Sequence, residues 1–201
     1  MFGALSQDRY LDVWGRPSGS ADLRFRFDTT NDLGRKVPFL IADTLTRLNG
    51  SSWLKVYLPI RPNDGTGWVH AEDVRLIPER QEIVVDLSER RLEHFVGGVL
   101  VDRFHVGVGL PQTPTATGTF FVVVRVRYAD PSGSYGSMAL GLSGFSDVLT
   151  EWPGGGRMAI HGTSDPSDPG HAVSHGCIRV FNPDLEALRH VPLGTPVIIK
   201  R

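Results

Sequence analysis

The only cysteine of this 201-residue chain, Cys177, lies in the stretch Ser174-His175-Gly176-Cys177. Thiolate is the nucleophilic form of cysteine, and an ordinary thiol with a pKa of about 8.5 needs a nearby base or cation to form it at neutral pH. His175 is two residues away, and Gly176 permits an irregular backbone that lets the two side chains converge. This spacing predicts a Cys–His nucleophilic site, with a packed, unreactive cysteine as the alternative.

Other groups near Cys177 could complete such a site. Glycine at position 176 leaves the backbone N–H groups of Gly176 and Cys177 accessible, and such donors stabilise a developing oxyanion. The hydroxyl of Ser174 could add a further donor. Arg179 contributes a permanent cation that can hold a carboxylate through two parallel hydrogen bonds. These neighbours favour acyl-transfer chemistry.

A second histidine strengthens the pattern and leads to a family resemblance. His161-Gly162, followed after a loop by Ser174-His175-Gly176-Cys177-Ile178-Arg179, resembles the signature of the YkuD-type L,D-transpeptidases. Three upstream stretches are similar to that family in the same order: IVVDLSERRLEHF, HVGVGLPQTPTATGTF and GLSGFSDVLTEWPGGGRMAIHGT. The resemblance spans residues 82–201, although the second proline common in the family's Thr/Pro turn is Ala116 here.

The resemblance implies a function and a role for each matching residue. The family cleaves a peptidoglycan stem tetrapeptide after its third residue through a cysteine thioester. It passes the acyl group to an amine of a neighbouring stem, which cross-links two third-position residues, or attaches it to another amine. The resemblance therefore implies that the partners are donor and acceptor stem peptides and that no cofactor is needed. It also implies that carbapenems acylate the cysteine and that the enzyme works outside the cytoplasm. The catalytic residues implied are Cys177, His175 and Gly176, and the substrate-binding residues implied are His161, Arg179, Ser174 and Gly162.

Several alternatives remain open from the residues alone. Water could replace the amine as acceptor, which would make the protein an L,D-carboxypeptidase, or the domain could bind cell wall without catalysis. His161, His171, His175 and Cys177 offer four zinc-type ligands, although their spacing matches no common structural zinc site. A papain-like peptidase has its cysteine before its histidine and at the start of a helix, which is the opposite order.

The residues before the catalytic region predict a small β domain. Short alternating runs separated by turn residues fill positions 23–78 and are typical of a strongly bent barrel. This region resembles a bacterial SH3-like domain, on the basis of Trp53-Leu54-Lys55-Val56, Gly67-Trp68-Val69 and Val74-Arg75-Leu76. Residues 1–22 show little periodicity and predict a loosely held leader or edge segment.

The second domain, residues 82–201, is predicted to be a β-sandwich with one short helix. The β-branched run TFFVVVRVRY at 119–128 predicts a central strand. The Gly-, Ser- and Pro-rich residues 129–157 predict a long functional loop or lid. Asn182, Pro183 and Gly194 predict the N-cap, the first turn and the end of a helix over 182–194. The fold class is therefore mainly β.

Composition limits the classes of partner. The net charge of −1 arises from 21 basic and 22 acidic residues that are scattered along the chain, which argues against nucleic-acid binding. The longest apolar runs, such as TFFVVV at 119–124, fall far short of the roughly 20 residues of a membrane-spanning helix. We therefore expect no spanning segment, while the oligomeric state and the route of export remain open.

Overall fold

A computed structural model describes residues 1–18, 23–48, 50–151 and 153–201. The described residues form seventeen strands, one short α-helix and three short 3₁₀ turns. The predicted mainly β fold class with one short helix is confirmed at this level. None of the described helices is long and apolar enough to cross a membrane.

The first part of the chain forms one antiparallel sheet in the order β3-β2-β6-β5-β4-β1-β7. Its strands are β1 (Phe2–Ser6), β2 (Tyr10–Trp14), β3 (Leu23–Asp28), β4 (Phe39–Leu48), β5 (Ser51–Tyr57), β6 (Thr66–His70) and β7 (Val74–Pro78). Its inner face packs into a core that includes Leu11, Phe39, Leu40, Val56 and Val69. The SH3-like assignment of residues 23–78 stays a prediction.

The N-terminal residues are integral to this sheet rather than a loosely held leader. β1 lies between β4 and β7, and β2 lies between β3 and β6. Ala4, Leu11 and Val13 are fully buried or nearly so. Each strand is only five residues long, so its alternation was too short to stand out against the surrounding turn residues. Residues 19–22 of the predicted leader lie outside the described residues.

The second part of the chain forms an eight-stranded sheet in the order β10-β9-β8-β17-β12-β13-β14-β16, beside a two-stranded sheet of β11 and β15. The strands are β8 (Gln81–Asp86), β9 (Arg91–Val96), β10 (Val99–His105), β11 (Val108–Gly109), β12 (Gly118–Arg127), β13 (Met138–Phe145), β14 (Arg157–Thr163), β15 (Ala172–Ser174), β16 (Ile178–Phe181) and β17 (Pro196–Lys200).

β12 is the central strand predicted from its apolar sequence. Residues 118–121 pair with β17, and residues 122–127 pair with β13, so β12 joins the two halves of the large sheet. Phe120 and Val122 face the core of the second part, while Phe121 and Val123 pack into the core of the first. Because side chains alternate across a strand, this one strand closes both hydrophobic cores. The first sheet is therefore packed directly against the second.

The predicted long loop at 129–157 contains a buried strand, so that prediction was wrong in its central part. All eight residues of β13 are buried. The run MALGLSGF is buried on both faces, and a strand without a solvent side shows no period-two alternation. Its glycines and serine also resemble loop composition.

The predicted helix over 182–194 is much shorter. α1 covers Asn182–Leu185, and a 3₁₀ turn over Glu186–Leu188 follows it. Asn182 is not the N-cap, because its side chain accepts the N–H of Ser137 at 3.2 Å and donates to the carbonyl of Pro131 at 2.8 Å. Nothing in the local sequence explains why α1 ends at Leu185.

Candidate active site

The turn between β15 and β16 carries Cys177 and His175. β15 pairs with β11, and β16 pairs in parallel with β14, so both ends of the turn are anchored in sheet. Gly176 has φ = 116°, a conformation that costs residues with side chains much more than glycine. His175 is exposed and Cys177 is half-buried. The turn therefore presents a thiol and an imidazole side by side at the start of β16.

Ser174 braces this turn from inside the protein. Its buried hydroxyl donates to the carbonyl of Cys177 at 2.5 Å and accepts the N–H of Gly176 at 3.1 Å. The sequence suggested Ser174 as a substrate contact and the Gly176 N–H as an oxyanion donor. In the structure, the Ser174 hydroxyl and the Gly176 N–H instead form a hydrogen bond with each other within the turn. The N–H of Gly176 can reach a substrate only if its bond to Ser174 breaks.

Cys177 opens into a small cavity of about 70 Å³ that His175 and Gly176 also line. The other wall residues are Tyr135, Ser146, Leu149, Gly156, Arg157, Met158 and Ala159. A larger cavity of about 280 Å³ lies between the two sheets, but Cys177 and His175 are not among its lining residues. The candidate nucleophile Cys177 and the candidate base His175 thus share one cavity. Of the other residues predicted from the sequence, His161, Gly162, Ser174 and Arg179 do not line it.

His161 lies behind the cavity wall and supports it through Tyr135. Its imidazole is 3% exposed and meets the Tyr135 ring edge-on, with ring centroids 5.1 Å apart. The Tyr128 ring stacks on Tyr135 at 5.7 Å. Nδ1 of His161 lies 2.9 Å from the carbonyl of Gly162, and because a carbonyl only accepts, Nδ1 carries the proton. Burial lowers the pKa of His161 to about 4, so this imidazole is neutral near pH 7.

Gly162 allows the backbone of the loop that carries Tyr135 to pack closely against β14. A Cβ added at Gly162 would lie 2.1 Å from Oδ1 of Asn182 and 3.0 Å from the Cα of Gly136. The N–H of Gly162 donates to the carbonyl of Tyr135 at 2.9 Å. Gly162 therefore positions Tyr135 instead of forming part of the cavity surface.

Arg179 is held by a buried carboxylate. Its Nη1 donates to Oδ2 of Asp168 at 3.1 Å, and the same oxygen accepts the hydroxyl of Thr163 at 2.6 Å. The Asp168 side chain is 8% exposed. The sequence suggested that the Arg179 guanidinium could hold a substrate carboxylate through two hydrogen bonds. In the structure, one of its nitrogens already donates to Asp168. Nε of Arg179 is buried and has no hydrogen-bond partner among the described residues.

Comparison with known proteins shows which family the chain belongs to. Residues 80–199 match the family model of the YkuD L,D-transpeptidase catalytic domain. The chain belongs to this family. It is 34% identical over 120 residues to a YkuD protein of Bacillus subtilis strain 168 and 39% identical over 124 residues to one of Bacillus licheniformis, both named as L,D-transpeptidases. These matches cover 59% and 61% of this chain and 65% and 66% of the relatives, so the chain spans somewhat less than two thirds of their length.

A solved structure supports the fold beyond the catalytic region. The crystal structure of an L,D-transpeptidase from Mycobacterium tuberculosis H37Rv is similar to this chain with a TM-score of 0.50 and 18% sequence identity. The match covers 81% of this chain and 99% of that chain. At this identity the likeness shows the fold alone.

The environment of Cys177 in this YkuD domain keeps its thiol protonated at rest. Burial raises the pKa of the Cys177 thiol above its ordinary range, while a hydrogen bond with the backbone of Ala159 and the charge of Arg179 act in the opposite direction. Desolvation disfavours the charged thiolate and is the largest of these influences. The sulfur therefore needs a base at the moment of attack, and His175 lines the same cavity.

Alkylation of the resting protein should follow this raised pKa. We expect the rate of reaction of Cys177 with iodoacetamide to keep rising from pH 7 through pH 9, and to be slower at pH 7.5 than the rate for Cys177 in the urea-unfolded protein, because the thiolate fraction is smaller in the folded state. Intact-mass time courses at several pH values measure this rate. A plateau between pH 6 and 8 would instead indicate a thiolate already formed in the resting protein.

Sequence reasoning missed several residues around the cavity. Tyr135, Ser146 and Leu149 arrive from loops far from Cys177 in sequence, and no local pattern marks them. No sequence spacing singles out Asp168, the carboxylate that holds Arg179. The described part of the chain contains no group of three or more His, Cys, Asp or Glu side chains arranged to hold a metal ion, and His171 of the zinc alternative is exposed, with Nδ1 3.3 Å from the carbonyl of Pro169.

Proposed function

We propose that this protein is a cysteine-dependent L,D-transpeptidase acting on peptidoglycan stem tetrapeptides. The observation that carries the proposal is that Cys177 and His175 line one cavity, on a turn whose backbone is fixed by Gly176 and Ser174, in a chain of the YkuD family. A nucleophile and a base in one cavity are the minimum required for covalent acyl transfer. The substrate, a peptide of the cell wall, puts the site of action outside the cytoplasmic membrane.

In the first half of the reaction, His175 takes the thiol proton while the sulfur attacks the carbonyl carbon of the third stem residue. The resulting oxyanion accepts a hydrogen bond from the N–H of Cys177. The tetrahedral intermediate then breaks its C–N bond, and His175 returns the proton to the departing amine of the terminal D-alanine. A thioester on Cys177 and free D-alanine are the products of this half.

In the second half, an amine of a neighbouring stem attacks the thioester carbonyl. His175 accepts a proton from this amine and later returns it to the departing sulfur, which regenerates the thiol. The product is an amide between two third-position residues. His161, Gly162 and Arg179 act indirectly in this proposal: His161 and Gly162 position Tyr135, and Arg179 lies in the strand that follows Cys177 and is held by Asp168.

The test is incubation of the protein with a purified disaccharide-tetrapeptide, followed by mass spectrometry of protein and products. We expect loss of one D-alanine per turnover, a thioester on the protein that hydroxylamine releases, and a cross-linked dimer. Tripeptide without dimer would assign water as the acceptor and replace transpeptidase by carboxypeptidase activity. An unchanged tetrapeptide, with Cys177 still open to iodoacetamide, would overturn the proposal in favour of a non-catalytic binding domain.

A further inference from the structure

The cavity of Cys177 has one wall that is held by the N-terminal sheet. This wall is made of residues 145–151 and 153–156, which contribute Ser146, Leu149 and Gly156 to the lining. Ser146 faces the catalytic turn, since a Cβ added at Gly176 would lie 3.9 Å from the Cβ of Ser146. We call these residues the pocket wall. Its shape decides how much room a substrate has above the sulfur.

The pocket wall is a loop with a glycine-rich end. Gly154, Gly155 and Gly156 all have positive φ between 66° and 75°. Glycine-rich backbone has many accessible conformations, so fixing one of them costs more entropy than for other residues. Ser146 ties the segment together, because its N–H donates to the carbonyl of Gly156 at 2.7 Å and its hydroxyl accepts the N–H of Leu149 at 3.1 Å. Other carbonyls of the wall can accept hydrogen bonds from partners elsewhere in the protein or from water.

Arg61 supplies those partners from the loop between β5 and β6. Its Nη1 donates to the carbonyl of Ser146 at 2.6 Å, and its Nη2 donates to the carbonyl of Gly155 at 2.8 Å and reaches that of Leu149 at 3.5 Å. The guanidinium also lies over the Phe145 ring, 5.0 Å from its centroid. A planar guanidinium can bridge several carbonyls at once, and charge-assisted bonds are stronger than neutral ones.

The two residues that follow Pro62 dock the same loop beside the wall. Asn63 exchanges two bonds with the backbone of Phe145, accepting its N–H at 2.9 Å and donating to its carbonyl at 2.8 Å. Asp64 accepts the N–H of Thr119 on β12 at 2.9 Å. These bonds fix the β5–β6 loop to the second part of the chain at Phe145, next to Ser146, and at Thr119.

We propose that Arg61 is a positioning residue that holds the pocket wall against the catalytic turn, so that the N-terminal sheet sets the shape of the substrate cavity. Arg61 reaches the reacting atoms only through the wall. The inference rests on the proposed acyl transfer at Cys177 for its functional consequence, while its structural content concerns the wall itself. Without the guanidinium, three carbonyls lose a common partner and the glycine-rich segment samples other conformations.

The variants are Arg61→Ala, Arg61→Lys and a control, Arg24→Ala. Arg24 is an exposed arginine of the same sheet whose Nη1 donates to the carbonyl of Thr66, at the end of the same loop, at 3.3 Å. A lysine keeps the charge but cannot bridge three carbonyls, so Arg61→Lys should rescue only part of the loss. Thermal unfolding identifies which variants are folded. If Arg61→Ala does not fold, the same readouts are applied to Arg61→Lys, and its results then test the proposal.

Three readouts separate positioning from general stability. In Arg61→Ala we expect faster hydrogen exchange at the amides of the pocket wall than in Arg24→Ala, with the amides of β12 and β17 unchanged. We expect the rate of Cys177 alkylation by iodoacetamide to change by at least about threefold, since the wall controls access to the sulfur. For the tetrapeptide reaction we expect kcat/KM to fall by about 10- to 100-fold, mainly through KM.

The outcomes also separate this inference from the proposed function. Exchange and alkylation do not require transpeptidation, so they judge Arg61 even if the wild-type protein leaves tetrapeptide unchanged. Altered exchange and alkylation with no turnover in any variant would support the positioning role and overturn only the proposed reaction. Folded Arg61→Ala with wall exchange, alkylation and kcat/KM all within about twofold of Arg24→Ala would overturn the positioning role.

Discussion

Replacing His175 with glutamine slows acylation of Cys177 by meropenem about 10²- to 10⁴-fold at pH 7, while Cys177→Ala forms no adduct at all. The reason lies in the raised pKa of the Cys177 thiol, which burial keeps protonated in the resting protein. A protonated sulfur is a poor nucleophile, so the step depends on a base that can take its proton during the attack. His175 is the imidazole that lines the same cavity.

The measurement is the growth of a single mass adduct with time, and its pH dependence identifies the role of the imidazole. Raising the pH should bring the His175→Gln rate towards the wild-type rate, because hydroxide then forms the thiolate without the base. His171→Gln is a matched control, since His171 is an exposed histidine four residues away. Acylation of His175→Gln at pH 7 within about threefold of wild type would exclude His175 as the base.

The turn that carries Cys177 and His175 was predictable because its information is local. Cys177, His175 and Gly176 are adjacent in sequence, and the need for a non-helical, non-extended backbone at position 176 follows from glycine itself. The local sequence did not indicate the structural bonds of Ser174. A hydroxyl beside a nucleophile has the same sequence pattern whether it faces the substrate or braces the turn, and only the packed structure shows its bonds to Gly176 and Cys177.

The residues that shape the cavity were not predictable, because they come from segments that tertiary packing brings together. Tyr135 and Ser146 lie more than 30 residues before Cys177, and Arg61 lies in the β5–β6 loop of the N-terminal sheet. The strand that separates the loops of Tyr135 and Ser146, β13, carries no alternation because both of its faces are buried. If that strand is not recognised, residues 129–157 look like one long loop, and the sequence does not show which of them line the cavity.

The helix prediction failed for a related reason. Asn182 has the sequence features of an N-cap, but its side chain bonds to Ser137 and Pro131 in the loop that also carries Tyr135. A polar side chain near a helix start can serve either its own helix or a distant backbone, and the local sequence is the same in both cases. Asn182 therefore contributes to the site by holding a loop instead of by capping α1.

His161 should make the protein sensitive to mild acid. Its pKa is lowered to about 4, chiefly by burial, whereas the same imidazole in the unfolded chain titrates near 6.5. As the pH falls below 6.5 the unfolded chain gains a proton that the folded protein does not, so the free energy of unfolding decreases until the pH approaches 4. For these two values the loss between pH 7.5 and pH 5 is about 2 kcal/mol.

Urea unfolding at pH 7.5 and pH 5 measures this loss, with His161→Asn as the comparison. The asparagine amide can donate to the carbonyl of Gly162, as Nδ1 of His161 does, but it does not titrate in this range. We expect His161→Asn to lose about 2 kcal/mol less stability than wild type between the two pH values, whatever its stability at pH 7.5. Equal losses in the two proteins would mean that His161 is solvated enough to accept a proton in the folded state. In that case the imidazole could not stay neutral beneath Tyr135, and its role in the cavity wall would depend on pH.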